Sequence, residues 1–313
     1  MRPMLSDVLP DRRLLLVHAH PDDESSQSAA TMARYLDEGA QVTLVTCTLG
    51  ELGEILVPEW QHFSPQELGE HRMAEIAEAM QVVGVTDHLF LGGPGRYHDS
   101  GMVNTDLGRA GIPDEMPDNA FWLSDLLEAS DYLVEIIRTR RPQVAVTYDP
   151  HGNYGHPDHI KAHRALMYAV QLVASPSHRP DLGAPWEVQR VLWNTHNTSR
   201  WTEAYAIARE RGIQLWDTAE EEATDEQLER RFGPDPEQIV ATIELQPYLD
   251  VCRKALLTHR SQVDPTAPFW QFFSIMQELP DAAEAYLLGA GQPFPAGDGP
   301  ARCLFEGLAP DPA

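Results

Sequence analysis

The stretch "RLLLVHAHPDDES" at 13–25 decides how the rest of the chain is read. Four apolar residues, 14–17, form a run short enough for a buried strand. Directly behind it, "HAHPDDES" at 18–25 packs two histidines and three acids into eight residues. Charges that dense beside a core are costly to desolvate unless something pairs with them. A strand that ends in such a cluster is expected to run into a ligand site.

Outward from this point the chain alternates. "AATMARYLDEGA" at 29–40 reads as a helix ending at Gly39, and "QVTLVTCT" at 41–48 as a β-branched strand. "GEHRMAEIAEAMQVVG" at 69–84 sets Met73, Ile76, Ala77 and Met80 on one helical face. "DHLFLGG" at 87–93 and "QVAVTYD" at 143–149 read as strands, separated by a helix over 123–142 that Pro142 closes. "HPDHIKAHRALMYAVQLVA" at 156–174 is a helix with Pro157 in its first turn. The alternation predicts an α/β fold, a Rossmann-like, mostly parallel sheet with helices on both faces. Ligands of such sheets bind outside the carboxyl ends of the strands. Both histidine-rich stretches fall at such ends.

Farther on, 187–197 and 238–246 are plausible strands and 247–262 a helix that opens with Pro247. The acidic, apolar-poor segment 218–238 reads as a solvated surface excursion. The segment 92–119 has no periodicity and much Gly, Pro and Asp; a loop that long is expected to cover a site. The tail after Pro293 is expected to be poorly ordered. With no Pro/Ser linker to divide it, the chain is expected to form one domain over 1–313, with a core at 13–175 and a second part at 187–290 completing sheet and pocket.

The chain has 313 residues and a formal charge of −25, which argues against sequence-independent binding to nucleic acid or an anionic membrane. Its apolar runs are far shorter than a membrane span, and "MRPMLSDVLPDRR" at 1–13 has no signal-peptide core. The three cysteines, Cys47, Cys252 and Cys303, form neither a disulfide framework nor a CxxC site, so a cytoplasmic location is expected. Oligomeric state is not legible.

Catalytic zinc takes about three protein ligands and leaves one position open. His20 and Asp23 are three apart at a strand end, and so are His156 and His159 near a helix start. One such stretch is usually a satisfied histidine or a helix cap; two at the ends of one sheet point to a metal. By spacing Asp23 is the better ligand, which leaves Asp22 as a general base for the water a metal activates. His156 is a candidate general acid or oxyanion donor, and Tyr154 a further oxyanion donor. His163 reads as packing behind the ligands, and Cys47 as a buried strand residue. "LGGPGR" at 91–96 is not a dinucleotide fingerprint.

With "AHPDDE" at 19–24 and "YGHPDH" at 154–159, the chain resembles the LmbE/PIG-L family of zinc-dependent N-acetylglucosamine deacetylases. "TCTLGELGE", "LGGPGRYHDSGM" and "TYDPHGNYGHPDH" bring it closest to the branch that serves mycothiol biosynthesis. The resemblance covers 13–170, and more loosely "ALLTHRSQ" at 255–262. It implies His20, Asp23 and His159 as ligands of Zn²⁺, with Fe²⁺ or Co²⁺ also accepted. It implies Asp22 as general base, His156 and Tyr154 as its catalytic partners, and Arg72 and Asp99 as residues holding sugar and inositol hydroxyls. The implied reaction removes the N-acetyl group of a small amino-sugar, 1-D-myo-inosityl-2-acetamido-2-deoxy-α-D-glucopyranoside. The alternatives are an amidase of mycothiol S-conjugates or a related deacetylase of another thiol or antibiotic pathway. "ESS" at 24–26 and "ATMARY" at 30–35 lean towards the amidase, the 91–102 loop leans towards the deacetylase, and Gln27 is the residue expected of neither.

Overall fold

The structure is a computed structural model that describes residues 12–104, 109–195, 201–214, 234 and 236–309. Its strands are β1 (Arg13–His18), β2 (Gln41–Thr46), β3 (Asp87–Phe90), a short hairpin of β4 (Val103–Asn104) and β5 (Ala110–Gly111), β6 (Val144–Thr147), β7 (Arg190–Thr195), β8 (Ala241–Glu244) and β9 (Ala283–Gly291). The helices are α1 (Asp23–Gln27), α2 (Ala29–Asp37), α3 (Pro65–Val83), α4 (Leu126–Arg140), α5 (Pro157–Val173), α6 (Trp201–Glu210), α7 (Leu249–Leu256) and α8 (Pro268–Glu278). Seven strands form one sheet in the order β3-β2-β1-β6-β7-β9-β8. The first five are parallel, and β9 runs antiparallel to both β7 and β8. The expected mostly parallel sheet is therefore present.

β1 shows why its sequence is apolar without alternation. Leu14 and Leu16 enter a core with α2 and α3, while Leu15 and Val17 enter a second core with α4 and α5. A central parallel strand is covered on both faces, so it has no solvent side to mark with polar residues. β1 also sits where strand order reverses: the chain moves from β1 to β2 on one side and returns as β6 on the other. The loops after β1 and β6 diverge there and leave a crevice.

Several expectations need correction. α3 starts earlier, at Pro65, on a capping box between Ser64 and Glu67. It buries Leu68, Arg72, Glu75, Ile76, Ala79, Met80 and Val83, whereas Ala77 is exposed and Met73 only half-buried. The buried stripe includes two charged residues that hydropathy assigns to solvent. α8 and β9 were not anticipated. The tail after Pro293 is not loose: Leu304 and Phe305 are buried, and Ala301 bridges Ala241 of β8. Most of the acidic 218–238 segment and part of the 92–119 loop lie outside the described residues. Among the described residues no helix is long and apolar enough to cross a membrane.

Candidate metal and catalytic site

β1 and β6 deliver both histidine stretches to the same crevice. Past β1 the chain makes a tight turn into α1, which puts Asp23 under His20. The His20 backbone N–H donates to Asp23 Oδ2 at 2.9 Å, and His20 Nδ1 lies 3.3 Å from the same oxygen. Past β6, Tyr148 donates its hydroxyl to Asp23 Oδ2 at 2.7 Å and accepts from the Ala19 N–H at 2.8 Å. α5 then brings His159 Nε2 to 3.3 Å from Asp23 Oδ1. His20, Asp23 and His159 thus converge, each no more than 6% exposed.

Single ring nitrogens of His20, His156 and His159 fall within 4.8 Å of one another, and so do atoms of His20, Asp99, His156 and Asp158. The cluster can hold a metal ion. His159 fits that purpose well, because it is wholly buried, its Nδ1 has no hydrogen-bond partner among the described residues, and its Nε2 faces only the Asp23 carboxylate at 3.3 Å, outside hydrogen-bond geometry. A buried imidazole without partners is costly unless a cation takes the lone pair. His156 differs. It caps α5, its Nδ1 accepting the Asp158 N–H at 3.1 Å. In the neutral ring that acceptor leaves the proton on Nε2, 3.9 Å from Asp99 Oδ1. In that form His156 presents an Nε2–H to the site, although its ring also belongs to both groups able to hold an ion.

Charge balance agrees. Burial, joined by the charges of His20 and His159, pushes His156 well below the usual histidine range. Burial also opposes charge on His20, yet Asp99, Asp158 and Asp23 outweigh it and raise that histidine well above its ordinary value. Asp23 is held well below its ordinary range, since His159 and His20 overcome its burial. Three carboxylates and three histidines in one buried pocket attract positive charge.

Asp22 has an unusual geometry. Its backbone sits at φ 121°, ψ −29°, a region that L-residues rarely enter and that clusters at functional sites. Although it occupies the cap position of α1, its side chain makes no capping hydrogen bond there. The carboxylate instead accepts from Arg72 Nη2 at 3.0 Å. Burial raises Asp22 to about 6, against the pull of Arg72 and with a push from Asp23. A carboxylate tuned to that range can accept and return a proton near neutral pH.

The remaining expected residues are also here, though not all face outward. Arg72 is buried; its guanidinium donates to the carbonyls of Gly50 (2.7 Å) and Pro21 as well as to Asp22, leaving Nε without a partner among the described residues. Asp99 accepts from Gly101 N at 2.8 Å and Leu52 N at 3.2 Å, and lies 3.7 Å from His20 Nε2. Tyr154 stands edge-on to His159 at 5.0 Å and to His156 at 6.2 Å. The described part of the 92–119 segment touches the site at Ala110, whose N–H donates to Tyr154 O at 2.9 Å and whose carbonyl would lie 2.8 Å from a Cβ on Gly155. His163 packs behind, bonded to the Tyr148 carbonyl at 2.9 Å and edge-on to Trp193.

Sequence reasoning missed three participants and, for Glu24, which it expects to cap or pair, the identity of the partner. Tyr148 orients Asp23. Asp158 accepts from Ser100 N at 2.9 Å and sits 3.3 Å from His20 Nε2, and burial raises its carboxyl. Gln27 donates to Asp23 Oδ1 at 3.0 Å and accepts from Asn153 at 3.1 Å and from Asn194. Glu24 pairs at 2.9 Å with His259, from the far end of the chain. Burial opposes charge on Glu24, but His259, Ser25 and the Asp22 amide together hold it down at about 2. His/Asp spacing within one stretch reveals none of these: Tyr148, Asp158 and Glu24 find partners in other stretches, and Gln27 is a glutamine that links Asp23 to Asn153 and Asn194.

Known proteins resemble this chain over much of its length. The model of the PIG-L family, described as GlcNAc-PI de-N-acetylase, matches residues 15–170. A Kribbella flavida protein named 1D-myo-inositol 2-acetamido-2-deoxy-alpha-D-glucopyranoside deacetylase is 46% identical over 303 residues, 96% of this chain and 99% of that protein. A Streptomyces avermitilis protein of the same name is 46% identical over 309 residues, again 96% and 99%. Among solved structures, the N,N'-diacetylchitobiose deacetylase of Pyrococcus horikoshii superposes with TM-score 0.58 at 17% identity, covering 90% of this chain and 86% of that one. The conserved protein TT1542 of Thermus thermophilus superposes with TM-score 0.52 at 20% identity, covering 91% and 97%. These two share the fold. The family match spans both loops that build the centre, and near-full-length relatives share almost half their residues with this protein, which belongs to the PIG-L family.

Proposed function

We propose that the protein removes the N-acetyl group of 1-D-myo-inosityl-2-acetamido-2-deoxy-α-D-glucopyranoside, a small-molecule step of mycothiol biosynthesis, with zinc held by His20, Asp23 and His159. The observation that carries the reading is Asp22: a carboxylate in a strained backbone, free of any capping duty, beside three buried ligand groups. Full-length relatives that bear this activity in their names support the substrate. A divalent ion in that pocket supplies Lewis acidity to the attacking water and the amide carbonyl, and His₂Asp also accepts Fe²⁺ or Co²⁺. Asp22 takes a proton from the water as it adds to the carbonyl carbon. The Nε2–H of His156 and the hydroxyl of Tyr154 donate to the oxyanion that develops. When the C–N bond breaks, Asp22 returns its proton to the leaving nitrogen, giving acetate and the free amine. Arg72 keeps Asp22 aimed, and we assign Arg72 and Asp99 to the substrate hydroxyls. Three unpaired cysteines suit a reducing cytoplasm. We read 1–313 as one domain, because strands from both parts share the sheet.

The test pairs two assays. Acetate release from the acetylated glucosaminyl-inositol is compared with cleavage of a mycothiol S-conjugate amide, alongside elemental analysis of wild type and His159→Ala. The reading expects preference for the first substrate and loss of metal from the variant. Preference for the conjugate would make the protein an amidase, and equal metal content would remove His159 from the centre.

A further inference from the structure

Asp22 is held in its positive-φ conformation from two directions. Arg72, on α3, grips the carboxylate and the Pro21 carbonyl. The Asp22 backbone N–H donates to Glu24 Oε2 at 2.9 Å. Conformations of this kind persist only where the surroundings over-determine them, so what fixes Glu24 matters. Its other oxygen, Oε1, accepts from Ser25 Oγ at 2.5 Å and from His259 Nε2 at 2.9 Å. Glu24 and His259 are both wholly buried.

His259 follows α7, 235 residues away from Glu24 along the chain. Its neighbours are tied to the same helix that carries Arg72. Thr258 Oγ1 lies 3.2 Å from the Glu75 carbonyl, and Ser261 donates to the Glu75 carboxylate through its N–H at 2.8 Å and its hydroxyl at 2.7 Å. Both grips on Asp22 therefore rest on one scaffold of α3 and the 258–261 segment.

We infer that His259 is a positioning residue for the reaction: by fixing Glu24, which holds the Asp22 N–H, it keeps Asp22 in the backbone conformation that aims its carboxylate into the site. The inference rests on Asp22 as the proton acceptor proposed above. It gives the C-terminal part of the chain a role at the reacting centre although it contributes none of the proposed ligands. It also accounts for Glu24, the one acid of the opening cluster with neither ligand nor base duty.

The experiment compares His259→Ala, His259→Gln, Asp22→Asn and the double variant Asp22→Asn/His259→Ala as full-length, metal-loaded protein. A glutamine amide nitrogen falls close to the position of Nε2 and can donate to Glu24. His259→Ala is expected to lower kcat by about 10²-fold, the scale of a small misplacement of a catalytic group. KM and bound metal are expected to change little, and His259→Gln to recover most of the loss. In the Asp22→Asn background His259→Ala is expected to cost almost nothing more, because both changes disable one device. If the alanine variant does not fold, His259→Asn, whose amide falls short of Glu24, takes its place. The inference is overturned by wild-type kcat in His259→Ala, by an equal loss with and without Asp22, or by a glutamine variant as impaired as alanine with metal lost from both. Inactive Asp22→Asn with active His259→Ala would sink the link alone. Active Asp22→Asn would sink the proton-acceptor reading and the link with it.

Discussion

Tyr148 carries a single hydroxyl that serves two groups at once. It donates to Asp23 at 2.7 Å and accepts the Ala19 N–H at 2.8 Å, so it fixes a carboxylate and the strand end above it together. Burial, with the nearby Asp23 charge, raises its pKa well above the tyrosine range, so it stays a donor at any working pH. Groups that orient metal ligands in this way typically contribute 10–100-fold to metal affinity. Tyr148→Phe removes the donor, keeps the ring stacked 4.0 Å from His159, and is expected to weaken metal binding by about that range. Competition with a graded chelator measures it, and unchanged affinity would show that Asp23 needs no such support. At this scale the sequence was legible where partners lie close along it: His20 with Asp23, and His156 with His159, are three apart on single turns. Tyr148 and Asp23 are 125 residues apart, and nothing in "TYD" marks the tyrosine as different from any strand-end aromatic.

A longer-range device acts at the scale of elements. The N-terminus of α2 has no capping side chain from its own cap residue, Ser28. Its first amides are instead received by Glu284 on β9: Ala30 N and Thr31 N each donate to the carboxylate at 2.8 Å. This buried acid ties the antiparallel end of the sheet to the helix behind the site, and it explains why the β9 sequence was hard to read as a strand. "AEAYLLGAG" places a glutamate at an inward position, which makes sense only once α2 lies against it. α3 misled for the same reason, since Arg72 and Glu75 are buried for the groups they hold. Burial raises the Glu284 carboxyl from its ordinary 4.5 to about 7, despite the two amides and Thr31. The folded protein thus keeps a proton that the unfolded chain releases above about 4.5. Its stabilising contribution is full below that pH and is lost as pH rises through about 7. In Glu284→Gln nothing titrates at this position. Urea unfolding of both proteins from pH 4.5 to 8 should show the advantage of wild type over the variant shrinking as pH rises. An advantage that grows instead would mean that the amides hold the group ionised.

Across the whole molecule, a site outside the carboxyl ends of the strands was legible from alternation, whereas the strand order that puts the switch at β1 was not, because alternation does not say which strands become neighbours. The way the chain ends was not legible either. The tail is fastened by Arg190, a wholly buried arginine at the start of β7. Its guanidinium donates to the carbonyls of Gln292 (2.8 Å), Pro293 (3.1 Å), Leu304 (2.7 Å) and Glu306 (3.0 Å), and lies 3.7 Å from the centre of the Phe294 ring. Backbone carbonyls leave no pattern in a sequence, so a Gly/Pro-rich tail looks loose until the arginine that reads it is seen. Burial lowers the Arg190 pKa, yet the carbonyls and the ring face together form a cradle for its charge. Arg190→Met keeps the aliphatic stem and leaves the cradle without its donor, and Leu304, whose carbonyl is among those abandoned, is itself buried. A hydrogen bond to a charged group contributes about 1.5–3 kcal/mol, and water can replace the donor at the exposed carbonyls, so a net loss of about 3 kcal/mol is expected. Phe305 stacks edge-on against Tyr35 of α2 at 5.1 Å, and the Leu304 N–H donates to the Tyr35 hydroxyl at 2.6 Å. The loosened tail should therefore uncover the core behind α2 while the proposed metal ligands, beyond the carboxyl ends of β1 and β6, stay in place. Denaturant unfolding combined with metal analysis separates the two effects. Lower stability with full metal content supports an arginine that fastens the tail, whereas full stability would show that the tail is held by its apolar contacts alone.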